Sequence, residues 1–136
     1  MNGMLVDSNV ILDVFLNDPQ WGDASEGVLE EYGQAGALYI NPIVYSEVSV
    51  GFERIEDLEA AVAQAGFRML EIPREALFLA GKAYLKYKRR GGSRTGPLPD
   101  FYIGAQAAVL ELGLITRDPP RYRSYFPAVR TIRPER

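Results

Sequence analysis

Neither cysteine nor histidine occurs in the 136 residues of the chain. Without cysteine there is no disulfide, no thiol nucleophile, no zinc finger and no iron–sulfur ligation. Without histidine there is no Ser-His-Asp triad, no imidazole general base and no imidazole-rich zinc or copper site. Hydrolysis, if the chain performs it, then falls to oxygen ligands and a hard cation. Long apolar runs are missing too: none approaches the roughly 18 residues that cross a bilayer, so no membrane partner is expected. Met1 to Asp7 has no basic stretch and meets a carboxylate at once, unlike a signal peptide, which points to the cytoplasm. What is present is ordinary for a globular protein, 47% hydrophobic and 24% charged residues. The length suits one domain over residues 1–136 with one real core.

Charge is divided along the chain. Residues 1–80 hold 14 acidic and 3 basic residues, net −11; residues 81–136 hold 4 acidic and 12 basic, net +8. An acidic chain with a basic final third fits an anion or nucleic acid held on one side, or simply two solvated helix faces.

Apolar spacing and breakers predict strands at Met4–Asp7, Gly36–Ile40, Phe67–Ile72, Leu114–Arg117 and Val129–Ile132. Helices are expected at Asn9–Leu16, Trp21–Gln34, Pro42–Phe52, Ile55–Ala65, Pro73–Arg90 and Pro99–Leu112. Asn41-Pro42 is a cap followed by proline at the first helical position, a strong start signal. Gly91 to Pro97 reads as a flexible basic loop, and lacks the Gly-Lys-Ser/Thr ending of a phosphate-binding loop. Strands alternating with helices imply an α/β fold, a three-layer α/β/α sandwich on a mostly parallel sheet. Ligands in such folds sit beyond the carboxyl ends of the strands.

Asp7 ends the first strand and Asp118 follows the strand from Leu114 to Arg117, so both project from that edge. Glu47 lies one and a half turns into the helix entered from Ile40. Asp100 opens the helix leading to the Asp118 strand. Four carboxylates from separate segments thus converge on one rim, where they repel and raise one another's pKa. A divalent cation resolves the conflict, since hard cations prefer carboxylate oxygens and water. Mg²⁺ held by few carboxylates keeps waters, one of which can serve as nucleophile on a phosphodiester. Singly, each acid has a plainer reading: Asp7 as a helix cap, Glu47 as a solvated helix residue, Asp100 as a helix-dipole partner, Asp118 as a turn residue. Asp13 reads as a helix-surface or capping residue.

The segments Val6-Asp-Ser-Asn-Val-Ile-Leu-Asp13, Asn41-Pro-Ile-Val-Tyr-Ser-Glu-Val48, Leu98-Pro-Asp-Phe-Tyr-Ile-Gly-Ala105 and Thr116-Arg-Asp118 resemble the four signature blocks of the PIN-domain nucleases, in order and over essentially the whole chain. The likeness is to the VapC-type toxins of bacterial and archaeal toxin–antitoxin pairs, and extends to the ending Asp118-Pro-Pro-Arg-Tyr-Arg-Ser-Tyr-Phe-Pro127. The resemblance implies a Mg²⁺- or Mn²⁺-dependent endoribonuclease leaving 5′-phosphate and 3′-hydroxyl ends, the toxin of a type II pair. By position, Asp7, Glu47, Asp100 and Asp118 are its catalytic and metal-holding acids, with Ser8, Asn9 and Thr116 as orienting polar groups. It further implies a homodimer and a cognate antitoxin that lays an apolar segment over the toxin. The helix around Ile43, Val44, Val48 and Phe52, with Phe15, either offers that surface or belongs to the core.

RNA contact falls to cations near the rim: Arg117 and Arg121 flank Asp118, and Lys88, Arg89, Arg90 and Arg94 lie in or before the basic loop. Such phosphate contacts carry no sequence preference. Trp21, Phe15, Tyr32 and Tyr45 read as core aromatics rather than base-stacking platforms. Two rivals remain. An aspartyl-phosphate enzyme with Asp7 as nucleophile would want a second aspartate where Asn9 stands. An inert module gripping RNA or a partner would leave four convergent acids without use.

Overall fold

The fold comes from a computed structural model that describes residues 3–93 and 98–136. Arg94 lies outside the described residues, and the expected basic loop is described only as far as Ser93. Among these residues the order is β1 (Gly3–Val6), α1 (Ser8–Phe15), α2 (Gly22–Ala35), β2 (Ala37–Ile40), α3 (Pro42–Val48), a 3-10 turn (Ser49–Gly51), α4 (Ile55–Ala65) and β3 (Phe67–Met69). There follow α5 (Arg74–Arg89), α6 (Pro99–Val109), β4 (Gly113–Ile115), α7 (Pro120–Arg123) and β5 (Thr131–Ile132).

The five strands form one sheet in the order β3-β2-β1-β4-β5, every pairing parallel. Parallel neighbours need crossover connections, which the intervening helices supply. A parallel sheet covered on both faces buries its strands twice, which explains their unbroken apolar runs. Leu5, Val6, Leu114 and Ile115 are wholly buried, and Ile40 nearly so. Helices over that sheet give the expected three-layer sandwich. The strand order reverses between β1 and β4, and Asp7 and Asp118 lie just past the carboxyl ends of those two strands.

Several elements are shorter than expected, for identifiable reasons. β3 stops at Met69 because the next backbone acceptors go to a side chain: buried Gln106 donates through Nε2 to the carbonyls of Leu70 (3.5 Å) and Glu71 (3.1 Å). Its Oε1 meanwhile accepts from Asn41 Nδ2 at 2.8 Å. α6 stops at Val109 because Glu111 takes a left-handed backbone, φ 56°, which no helix continues through. The helix expected from Pro42 to Phe52 tightens at Ser49 into the 3-10 turn. Pro120 begins a four-residue helix, α7, that the sequence analysis does not anticipate.

The apolar surface considered on α3 is largely internal. Val44 and Val48 are core residues, while Ile43, Phe52 and Phe15 pack against the core from its margin. Phe15 stacks edge-on against Phe52 and Phe67, with centroids 5.7 and 6.2 Å apart. No helix among the described residues is long and apolar enough to cross a membrane.

Candidate active site

Asp7 sits at the hinge between β1 and α1, capping the helix while its carboxylate faces the rim. Ser8 N–H donates to its Oδ1 at 2.8 Å. Its Oδ2 takes two further donors, the Thr116 hydroxyl and the Tyr122 hydroxyl, each at 2.8 Å. The side chain is 3% exposed, so these bonds do what water does for a surface carboxylate. Thr116 is also wholly buried, and its oxygen accepts the Asp118 N–H at 3.1 Å, so one hydroxyl ties Asp7 to the segment carrying Asp118.

Glu47 reaches the same place from α3. Asn41 starts that helix, its Oδ1 accepting from Val44 N–H at 2.8 Å, with proline at the next position. The Ser8 hydroxyl donates to Glu47 Oε1 at 2.9 Å, joining α1 to α3. Burial pushes the Glu47 carboxyl above its usual range; Asp7 and Asp100 push it further, against the Ser8 bond and Arg121.

Asp100 stands in the first turn of α6, where a helix favours negative charge. Its Oδ1 lies 3.4 Å from the Tyr122 hydroxyl and its Oδ2 lies 3.8 Å from Arg121 Nε. Burial raises its pKa; Asp7 and Asp118 add to the rise, Arg121 and Tyr122 oppose it. Asp118 is the most open of the four acids and pairs with Arg121 Nε at 2.8 Å. The structure therefore brings all four expected acids to one rim.

Of the three expected orienting residues, Ser8 and Thr116 hold acids directly. Asn9 instead holds backbone: its Oδ1 accepts the Arg117 N–H at 3.2 Å, pinning the chain beyond β4 to α1. Tyr122 is the residue missed. It is fully buried, its hydroxyl spans Asp7 and Asp100, and the acids around it together with burial drive its own pKa far upward, so it stays a donor. The available signal was Pro119-Pro120, a helix start that sets Arg121 and Tyr122 three and four positions past Asp118, on one face.

The donor set suits a hard divalent cation in chemistry, being carboxylate oxygen throughout. Its spacing is looser: among the described residues, no three acidic side chains stand close enough as placed to enclose a metal ion. Arg121 draws Asp118 and Asp100 toward itself, and Ser8 holds Glu47.

The expected RNA-contacting cations fall into three groups. Arg121 is committed to Asp118 and Asp100. Arg90 lies over the Tyr125 ring at 5.3 Å, and Tyr125 packs on Phe101, the residue after Asp100, with Lys88 and Arg89 exposed immediately before Arg90. Arg117 turns to the other side, 3.2 Å from Asp13 Oδ2 and over the Trp21 ring. Asp13 is thus no surface or capping residue: it is 3% exposed and takes the buried Ser25 hydroxyl at 2.7 Å. Its pKa is raised by burial, with Ser25 and Arg117 holding the rise down. Trp21 is only half-buried, and Tyr45 spends its hydroxyl on Glu59 at 2.6 Å.

Solved structures with this fold include the VapBC2 complex of Rickettsia felis bound to a promoter DNA fragment (TM-score 0.74, 14% identity, 97% of this chain and 98% of that one). A toxin–antitoxin complex from Klebsiella pneumoniae superposes with TM-score 0.71 at 23% identity, covering 98% of each chain. DNA-bound VapBC from Salmonella typhimurium gives 0.72 at 19%, again over 98% of each. At these identities the likeness is one of fold. No curated protein matches the chain in sequence. The family model for the PIN domain matches residues 4–123, a span that takes in all four acids and the three residues that donate to Asp7. Matched over nearly its whole length, the chain belongs to the PIN domain family.

Proposed function

We propose that residues 1–136 act as one metal-dependent endoribonuclease domain, with Asp7, Glu47, Asp100 and Asp118 as its catalytic acids and Mg²⁺ or Mn²⁺ as cofactor. The observation that carries this reading is the Asp7 carboxylate at the reversal of the sheet, buried and triply braced, with Glu47 and Asp100 near enough for its charge to add to the rise in pKa that burial gives each of them. Buried like charges destabilise a fold unless a ligand of opposite sign repays them.

Asp7, Glu47 and Asp100 would hold the ion, with Asp118 turning from Arg121 to join them. A bound cation would supply positive charge and Lewis acidity to a phosphodiester. The protein's own groups do the positioning. Thr116 and Tyr122 occupy Asp7 Oδ2, which leaves Oδ1, with its single Ser8 donor, as the oxygen with capacity to spare. Ser8 fixes the Glu47 rotamer. Arg121 releases its carboxylates and becomes free to meet substrate phosphate.

The solved relatives are toxin–antitoxin complexes, which supports reading this chain as a type II toxin with an antitoxin partner; a homodimeric state and a cytoplasmic site of action are part of the same proposal. Cleavage of total tRNA and ribosomal RNA, with and without EDTA, tests the nuclease. Cutting that stops with EDTA and is absent in Asp7→Asn supports it; intact RNA under every divalent ion overturns it. The second reading, an inert binding module, is favoured by the open spacing of the acids. It predicts no heat on titration with Mn²⁺.

A further inference from the structure

Trp21 is the only tryptophan of the chain. Three guanidinium groups from distant positions gather on its ring: Arg136 at 4.6 Å from the centroid, Arg117 at 5.1 Å and Arg133 at 5.7 Å. The sheet explains the meeting. Thr116 N–H donates to Ile132 O at 3.0 Å, so Arg117 and Arg133 leave the carboxyl ends of adjacent strands β4 and β5. Both emerge on the rim that bears Asp118.

An indole face attracts each cation, but the cations repel one another. Asp13 pairs with Arg117, and Asp23, Glu31 and Glu135 line the cavity beside Arg133 without closing an ion pair to it. Among the described residues neither Arg133 nor Arg136 has an ion-pair partner. Arg117 Nε is buried and, although near Asp13, makes no aligned hydrogen bond. Unspent guanidinium donors, gathered and ordered by one flat ring, suit phosphate.

We propose that Trp21, Arg117, Arg133 and Arg136 form a subsite for the phosphodiester backbone of single-stranded RNA, leading the strand to the neighbouring acids; the choice of RNA rests on the nuclease reading. Arg117 directly precedes Asp118, so the arginine cluster and the acids are carried by one segment past β4. The cavity that Arg133 lines beside β5 carries Asp23, Glu31 and Glu135, and a polyanion is repelled from it.

The lone tryptophan makes the subsite report on itself. The whole chain is titrated in EDTA with a short oligouridylate, following tryptophan emission and the salt dependence of affinity. Expected is a saturable emission change, and in the Arg133→Ala/Arg136→Ala variant a salt slope smaller by about 1.4, roughly 0.7 for each lost phosphate contact. Both arginines are exposed, so the variant keeps its fold, which far-UV circular dichroism checks. A deoxyuridine strand that binds equally supports the phosphate chemistry and shows that the sugar is not read. Unchanged emission at saturating RNA, an unchanged salt slope in the variant, or a response to polyglutamate alone overturns the proposal. Binding of this kind by a chain that cuts no RNA overturns the nuclease reading and leaves the subsite standing.

Discussion

On the α6 side of the carboxyl rim, acids gather around one arginine; on the α2 side, arginines gather around one indole. Glu47, Asp100 and Asp118 share the charge of Arg121, while Arg117, Arg133 and Arg136 share the Trp21 ring. Asp7 and Asp13 make the contrast sharper, because both lie at α1 and both are 3% exposed. Asp13 has a serine and an arginine of its own, and Asp18 adds the smallest of the influences on its pKa. Asp7 is well supplied with donors but has Glu47 and Asp100 beside it. The first arrangement is what a fold needs to bury one charge. The second exceeds that need and asks for a ligand.

Experiments that separate the two sides differ in size. The largest effect expected is from Asp7→Asn, which should lower RNA cleavage by about a thousandfold or more, since Lewis-acid stabilisation is worth several kcal/mol. Single-turnover rates with a labelled RNA measure it. Tyr122→Phe should weaken Mn²⁺ binding about tenfold or more, because it removes a donor that aims Asp7; calorimetry reads this without requiring turnover. Asp13→Ala should leave metal affinity unchanged while costing about 2 kcal/mol of stability, since the buried Ser25 hydroxyl loses its acceptor. Urea denaturation checks that figure. A metal-binding defect in Asp13→Ala would erase the distinction between the two aspartates.

The smallest effect has the most telling sign. Glu47 and Asp100 have folded pKa values raised above the ordinary range, so between the two values the folded chain binds more protons than the unfolded one. Their contribution to stability therefore falls as pH rises through that window. In EDTA near neutral pH, Asp100→Asn should melt about 2–5 °C above the unaltered chain. The gap should close as pH drops toward about 4, where the carboxylates protonate in either state. Added Mg²⁺ should raise the unaltered chain more than the variant. A variant that melts lower in EDTA would show that Arg121 and Tyr122 more than offset the crowding.

Local patterns carried the fold far. Apolar runs such as Leu5-Val6 and Leu114-Ile115 mark doubly covered strands, and Asn41-Pro42 announces α3. Asp7, Asp100 and Asp118 were legible because each lies at or just past an element boundary, where strand and helix ends fix direction. What escaped depends on distant partners. Nothing near Met69 says that Gln106 will claim the carbonyls after it. Nothing near Tyr122 says that its hydroxyl meets Asp7, 115 positions earlier. Trp21 read as core because an isolated tryptophan usually is, and its three arginines come from beyond β4 and β5. Asp13 read as surface because its partner Arg117 lies over a hundred residues away.

Calorimetric titration of Mn²⁺ into the unaltered chain, Asp7→Asn and Asp100→Asn bears most directly on whether these acids form one ion-binding pocket. Expected is saturable heat with the unaltered chain, none with Asp7→Asn and a clearly weakened isotherm with Asp100→Asn. Equal isotherms for all three proteins, or no heat from the unaltered chain, would contradict it.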